Sequence, residues 1–422
     1  MSTPEFDGYK VDHLFLLIGE NPLPNYVAAK LLLNKEGTAY LIHTTDTEKS
    51  AQRLQKILKS ELNGFKDVEL RSLGDYESDA FHIQKKIREE LEKIKSGRIG
   101  LNYTGGTKAM AVHGYKAAFA NLPDAIFSYL DPRRLEMCID REDRERDRLK
   151  IKPDTLQVKL VKIFQLHGLE LKAIPTQKAQ LPELANSLAK VFQEEIKAKQ
   201  WFDWYYKIFC EAARKKKGNA IWGNWKNKTD LEKISIDLDN LLQEIITAFQ
   251  NESFITDDHK LLLSAVKTTG AFSEIQSFCK WLDGLWLEHY VLEQVQNIAS
   301  SCLLGDYGLN FEIPLTGTKD GFEFDVAFTR GYQLFALSCT TTSDRKLCKS
   351  KLFEAYLRAR RMGGDEARVA LICCSNEPDT LKAEIADSTN DDKIQVFGRE
   401  HLTNLSQEIA DWIAQNDWEA SK

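Results

Sequence analysis

A short apolar rise, Ile99-Gly100-Leu101, runs through Asn102-Tyr103 into Thr104-Gly105-Gly106-Thr107-Lys108 and on into helix formers from Ala109 to Ala120. That order calls for a strand, a tight turn and a helix, the connection from which open α/β sheets are built. Two adjacent glycines permit left-handed backbone at the turn and close approach by another group. Where such a turn opens a helix, free backbone N–H groups and the helix dipole favour an anion. Lys108 and the hydroxyls of Thr104 and Thr107 can add contacts there. The spacing is not that of a Walker A loop, which needs G-x-x-x-x-G-K-[ST]. A Gly-Gly pair before a helix also serves as a plain strand-to-helix connection, so a second element has to decide.

That second element lies near the start of the chain. Residues His13 to Ile18 read as an apolar strand, followed by Gly19-Glu20-Asn21-Pro22-Leu23-Pro24-Asn25 and a helix from Tyr26 to Leu33. Further strands are expected at Thr38 to His43, Asp67 to Arg71, Ile99 to Tyr103 and Ala125 to Tyr129, with a helix over Asp75 to Ile94 before the glycine turn. Alternating strands and helices predict an α/β fold with a doubly wound parallel sheet. In such a sheet both loops lie at the carboxyl ends of strands, where ligands bind. The charged stretch from Asp140 to Lys152 reads as an exposed hairpin or linker.

The motifs Leu17-Ile18-Gly19-Glu20-Asn21-Pro22-Leu23-Pro24-Asn25 and Asn102-Tyr103-Thr104-Gly105-Gly106-Thr107-Lys108 resemble those of CARF domains, the CRISPR-associated Rossmann-fold sensors of type III CRISPR ancillary nucleases. The resemblance implies a sensor over residues 1–152, a helical linking and dimerising region over 153–269, and a restriction-endonuclease-like α/β effector domain over 270–422. It also implies a homodimer that binds a cyclic oligoadenylate, most often the tetraadenylate, across its two-fold axis. The ligand-binding residues it implies are Gly19, Asn21, Pro22, Asn25, Asn102, Thr104, Gly105, Gly106, Thr107 and Lys108.

Composition narrows the class. A chain of 422 residues can bury two or three cores. No apolar run approaches the ~20 residues of a membrane span, and the N-terminus lacks a signal pattern, so a cytoplasmic protein is expected. Its eight cysteines are scattered without a C-x-x-C pair, which indicates neither a zinc knuckle nor a disulfide framework. A net charge of -6 argues against a constitutive polyanion binder. One local exception is Arg214-Lys215-Lys216-Lys217, which runs on through Trp222 and Trp225 to Lys228. It suits either a backbone-tracking surface with stacking platforms or a solvated helix end followed by core aromatics. The cluster from Trp201 to Tyr206 is expected in a core, and His167 is assigned no role.

The C-terminal part carries a second set of candidate groups. Phe278 to Val295 reads as one amphipathic helix bearing Glu288, followed by strands at Phe322 to Phe328 and Gln333 to Cys339. Period-2 alternation puts Glu323 and Asp325 on one face, and Phe322, Phe324 and Val326 on the other. An acid on a helix and an acid on a strand can jointly hold Mg²⁺, a hard cation that prefers oxygen. A helix over Ser350 to Met362 and a strand over Arg368 to Cys373 complete the pattern.

This order resembles the PD-(D/E)XK nuclease core. By that resemblance Glu288 is the helix acid, Asp325 the metal-bridging acid, and Cys339 the residue whose backbone carbonyl completes a Mg²⁺ or Mn²⁺ site. The family's Glu-x-Lys is replaced by Ser338-Cys339-Thr340, which removes a carboxylate and a lysine. Lys346, Lys349 or Lys351 is the candidate substitute for the lysine, and Glu323 for the carboxylate.

Two functions follow from the resemblance. One is a nuclease, activated by cyclic tetraadenylate, that cleaves or nicks DNA, with RNA as a further candidate substrate. The other is a receptor whose silenced nuclease fold binds nucleic acid or a partner. Lys108→Ala and Gly106→Val are both expected to weaken ligand binding while leaving the fold intact.

Overall fold

In the computed structural model, residues 4–61, 65–141, 145–217, 221–255, 259–313, 322–391 and 393–422 are described. The N-terminal seven-stranded sheet has the order β3-β2-β1-β4-β5-β6-β7. Its strands are β1 (Val11–Leu17), β2 (Leu33–His43), β3 (Asp67–Ser72), β4 (Ile99–Asn102), β5 (Ile126–Asp131), β6 (Glu136–Ile139) and β7 (Asp147–Lys150). Neighbours among β1 to β5 pair in parallel, whereas β6 and β7 return antiparallel. The Rossmann-like sheet is therefore as expected, and the charged stretch after Asp140 supplies its last strand. Residues 142–144 of that stretch lie outside the described residues.

The two faces of this sheet are covered differently. Helices α1 (Leu23–Leu32) and α2 (Glu48–Ser60) pack on one face, and α3 (Ala80–Leu91) and α4 (Lys108–Asn121) on the other. Helix α3 starts later than Asp75 because the Asp79 side chain caps it, accepting from the His82 N–H. Thr107 caps α4 in the same way through the Met110 N–H.

Beyond the sensor, α5 (Leu160–Leu166), α6 (Pro182–Gln193) and α7 (Glu195–Trp204) begin a helical region, which also holds the hairpin of β8 (Arg214–Lys217) and β9 (Ile221–Trp225) and the short pair β10 (Ser235–Asp237) and β11 (Lys260–Leu262). The C-terminal sheet follows, in the order β12 (Leu304–Ile313), β13 (Phe322–Arg330), β14 (Gln333–Cys339), β15 (Arg368–Ile372) and β16 (Ile394–Phe397). Strands β12 to β14 are antiparallel, and β14 to β16 are parallel. Helices α8 (Trp286–Ile298), α9 (Arg345–Gly363), α10 (Pro378–Thr389) and α11 (Leu405–Ser421) flank it.

The cores do not follow the linear order of the chain. Residues of the helical region, including the fully buried Trp201, share one core with Trp281 and Trp286 at the start of α8 and with Val326, Phe328, Phe335 and Leu337 of the C-terminal sheet. The other face of that sheet, with Ala327, Leu334 and Ala336, shares a second core with α5, α9 and the α1 and α2 side of the sensor. The N-terminal domain is thus joined to the back of the C-terminal sheet through α5, and Lys150 of β7 donates to the Ala420 carbonyl of α11 at 2.8 Å.

Two expectations for the C-terminal part need correction. The helix predicted over Phe278 to Val295 is broken: a wide π turn spans Trp281–Leu285, and Gly284 sits inside it at φ 154°. Only glycine adopts that backbone readily, so α8 starts afresh at Trp286. Phe324 and Val326 also fail to share a face: Phe324 joins the sensor-side core and Val326 the helix-side core. They pair with Phe311 and Leu309, and Asn310 between those partners takes φ 62°. A left-handed residue kinks the ladder there, so simple alternation fails.

Candidate functional site

Strands β1 and β4 lie side by side, and the flanking order reverses at this point, so the loops leaving them open into the crevice where α/β sheets take ligands. The two loops touch. A Cβ on Gly19 would sit 3.2 Å from the Gly106 nitrogen, and one on Gly105 only 2.2 Å from the Leu17 carbonyl oxygen. Gly106 has φ 76°. Glycine is therefore required by close approach at Gly105 and by conformation at Gly106.

The expected ligand residues fall into two layers. Thr107 and Lys108 are exposed at the start of α4, and Gly19, Asn21, Thr104, Gly105 and Gly106 are partly exposed around it. Pro22, Asn25 and Asn102 are buried beneath them. Asn25 Nδ2 donates to the Leu17 carbonyl at 2.9 Å, while its Oδ1, next to Gly105, accepts no hydrogen bond among the described residues. Asn102 donates to Ser128 Oγ and accepts from the Thr104 N–H, and Thr104 Oγ1 accepts from the Leu130 N–H at 2.7 Å. These three side chains fix the shape of the turn. The exposed backbone and Lys108 are left to meet a ligand.

Asn21 faces the rest of the molecule. Its Oδ1 accepts from the Leu23 N–H at 3.0 Å and lies 3.2 Å from His167 Nε2, which belongs to the turn after α5. A Cβ on Gly364, where α9 ends, would stand 2.7 Å from Asn21 Nδ2. Beside it Glu20 accepts from Ser50 Oγ, and Ser50 accepts from Arg53, which also donates to the Leu166 carbonyl. One candidate ligand loop therefore rests on α5 and on the end of α9. His167 had no role in the sequence, because the contact links positions far apart in the chain.

The second cluster surrounds Asp325. Its Oδ2 accepts from the Cys339 N–H at 2.6 Å and from Ser338 Oγ at 3.1 Å. Burial raises the Asp325 pKa against the pull of the Cys339 N–H, the Lys351 charge, Ser338 and Arg358. Burial also pushes the Cys339 thiol well up, and the charges of Asp325 and Glu288 push in the same direction. Glu288, partly buried on α8, thus shares with Asp325 an electrostatic influence on Cys339. The side chain of Glu323 lies outside the described residues.

The lysines separate. Lys351 is partly buried on α9 and its charge acts on both Asp325 and Cys339. Lys349 forms an ion pair with Glu384 of α10, and Lys346 is exposed. Of the candidate lysines, Lys351 acts on Asp325, whereas Lys349 is directed to Glu384. Helical spacing accounts for this: positions 349 and 351 are two apart and face different sides.

The donor set fits a hard cation only in part. Among the described residues no group of three His, Cys, Asp or Glu side chains is placed to hold a metal ion. Two carboxylates suffice for Mg²⁺ when substrate phosphates and water complete its shell. Asp325 has one oxygen occupied by its two donors, and the Cys339 group that meets it is the N–H.

Comparison with known proteins bears on both clusters. Residues 14–159 match the family model described as the Card1 CARF domain. No curated protein matches the chain. Among solved structures, protein VC1899 from Vibrio cholerae superposes with a TM-score of 0.70 at 15% identity, covering 96% of this chain and 98% of that one. Can2 from Sulfobacillus thermosulfidooxidans, in complex with cyclic tetra-adenylate, gives a TM-score of 0.64 at 15% identity, covering 95% and 99%. A type III CRISPR defence DNA nuclease activated by cyclic oligoadenylate gives 0.50 at 16% identity, covering 86% of this chain and 45% of that one. At these identities the likeness is one of fold. No helix among the described residues is long and apolar enough to cross a membrane.

Proposed function

We propose that this chain, whose residues 14–159 form a CARF domain of the Card1 family, is a cyclic-oligoadenylate sensor that governs a metal-dependent nuclease in type III CRISPR defence. The observation that carries the proposal is the contact between Asn21, in a candidate ligand loop, and Gly364, where α9 ends. The same helix carries Lys351 to the acids. A change at the loop therefore reaches the effector through one rigid element.

In this reading the backbone of Gly19, Gly105 and Gly106, the start of α4 and Lys108 hold phosphates of the ring. A homodimer presents the same loops to each half of a symmetric ligand, such as cyclic tetraadenylate. Ligand activates by binding one arrangement of the effector domains more tightly than another. The proposed place of action is the cytoplasm.

At the effector, Glu288 and Asp325 would hold Mg²⁺ or Mn²⁺ together with phosphates of DNA, and of RNA as a further candidate. The bound metal supplies an activated water and charge neutralisation. Ser338 and the Cys339 N–H orient Asp325, and Lys351 stabilises charge developing on the phosphate.

A second reading is favoured by one observation. Ser338 stands where the nuclease pattern has its second acid, and it binds Asp325 with its hydroxyl. A receptor with silenced chemistry would keep the fold and the sensor. Cleavage of supercoiled plasmid, single-stranded DNA and RNA with Mn²⁺ or Mg²⁺, with and without cyclic tetraadenylate, separates the two. Ligand-dependent cleavage lost in Asp325→Ala supports the nuclease. Calorimetric ligand binding without cleavage establishes the receptor.

A further inference from the structure

The base of the hairpin of β8 and β9 is tied to the turn that leads into α8, the helix of Glu288. Arg214 forms an ion pair with Asp283, and Tyr205 donates to the other oxygen of that carboxylate at 2.5 Å. Asp283 lies in the π turn before α8, and Tyr205 opens a second π turn over Tyr205–Phe209. Such turns are uncommon and collect at functional sites. Next to Asp283, a Cβ on Gly284 would be 4.0 Å from Thr341 Oγ1. Thr341 is two residues beyond Cys339, whose N–H holds Asp325. The hairpin base and the acids are therefore joined through a few contacts.

The composition of this surface is unlike that of the whole chain. From Lys207 to Lys228 there are seven cations and one acid, in a protein of net charge -6. Lys207 is 74% exposed, Lys216 67%, and Lys215 is exposed as well. Trp225 does not serve as an open platform, because the Arg214 guanidinium covers it at 3.6 Å and Phe209 meets it edge-on. Among the described side chains of this surface, the open aromatic is Tyr206. It is 49% exposed, stacks on Phe202 at 5.8 Å, and feels the charges of Asp283 and Arg214.

We infer that Tyr206, Lys207, Lys215 and Lys216 form the entry track for single-stranded nucleic acid, with Tyr206 as a stacking platform and the lysines on successive phosphates. Sequence-tolerant single-strand sites combine these two features, a basic groove and a supported aromatic face. Arg214 and Asp283 are positioning residues that hold the track against the turn before α8. Because the inference rests on the proposed nuclease reading of the acid cluster, its test must separate binding from cleavage.

The full-length Asp325→Ala protein, loaded with cyclic tetraadenylate, is titrated against fluorescent 20-nucleotide single-stranded DNA and RNA over a salt series. Anisotropy gives the affinity and its salt slope. Adding Lys207→Ala, Lys215→Ala and Lys216→Ala together should weaken binding at least tenfold and lower the slope by about 2, since each single-strand phosphate contact contributes about 0.7. Tyr206→Ala should weaken binding by about tenfold or more, and Tyr206→Phe should restore it, because stacking needs the ring alone. Circular dichroism and calorimetric ligand affinity matching the parent verify that the variants are folded. Binding that is strong in the parent and unchanged in the lysine and Tyr206 variants overturns the track and leaves the nucleic-acid function standing. Preference for duplex over single strands also overturns it. No binding by the parent overturns both.

Discussion

His167 Nε2 lies 3.2 Å from Asn21 Oδ1, while Nδ1 of the same ring lies 2.9 Å from the Ile163 carbonyl oxygen. Both partners are acceptors, and a neutral imidazole has one N–H to give. The ring can therefore satisfy α5 or the Asn21 loop through donation, but not both. Asn21 is also bound to the Leu23 N–H and is held close to Gly364. The candidate ligand loop thus meets a choice between two hydrogen-bond arrangements on the side that faces α5.

Gly364 should be intolerant of a side chain for two separable reasons. Its φ is 64°, and an added Cβ would be 2.7 Å from Asn21 Nδ2. Gly364→Ala is expected to cost about 1 to 2 kcal/mol in urea unfolding. Removing the Asn21 amide relieves the clash and leaves the backbone strain, so Asn21→Ala combined with Gly364→Ala should cost less than the sum of the two single changes. Additive costs would show that Asn21 does not press on α9.

Acid should weaken the fold through two histidines, the half-buried His167 and the buried His289. Burial lowers His167 to about 4, against the pull of the Ile163 carbonyl and with help from Arg53 and Arg361; burial alone lowers His289 to about 4. His289 Nδ1 accepts from the Gln180 N–H at 3.1 Å, which requires an unprotonated nitrogen. In the unfolded chain both take a proton near pH 6.5, whereas the native state refuses it until about pH 4. Stability is therefore lost as pH falls through that interval. Urea unfolding at pH 7, 6, 5 and 4 should show the loss, and His167→Gln should flatten part of it. A profile unchanged by His167→Gln would contradict the role given to this ring.

The glycine turn separates two substitutions that the sequence treats alike. Lys108 is exposed, so Lys108→Ala should lower affinity for cyclic tetraadenylate by about tenfold with the melting temperature unchanged. The expectation from the sequence that Gly106→Val leaves the fold intact needs correction. A branched side chain at φ 76° is strained, and its Cβ would stand 3.1 Å from Met110 Cε and 3.2 Å from Leu17 Cβ. It should lower stability by about 2 kcal/mol or more, so its loss of binding reports folding as well as contact. Calorimetry beside thermal unfolding distinguishes the two.

The sensor was legible because its signals are local. Each parallel strand is an apolar run, and Thr107-Lys108 after two glycines marks a capped helix start. What stayed hidden depends on tertiary packing. Nothing in the sequence near His167 points to Asn21, because the two are brought together by a core that joins α5 to the sensor. The sharing of one core by the helical region and the C-terminal sheet was hidden for the same reason. At the acids, Asp325 and Glu288 could be read from their elements, but the kink at Asn310 could not. It sends Phe324 and Val326 into different cores, and period-2 reasoning has no means of detecting it.

The three candidate lysines give the last prediction. Lys349 is committed to Glu384 and Lys346 is exposed, whereas the Lys351 charge acts on Asp325. If the chain cleaves nucleic acid, Lys351→Ala should reduce the cleavage rate by about 100-fold or more, the scale on which charge stabilisation at a developing oxyanion acts. Lys349→Ala should instead change stability by less than about 1 kcal/mol through loss of a surface pair, and should leave the rate within a few-fold of the parent. Lys351→Arg keeps the charge with a different shape and should recover part of the rate. Cleavage that survives Lys351→Ala but fails in Lys349→Ala would mean that α9 rotates on activation and presents the other face of the helix to the phosphate.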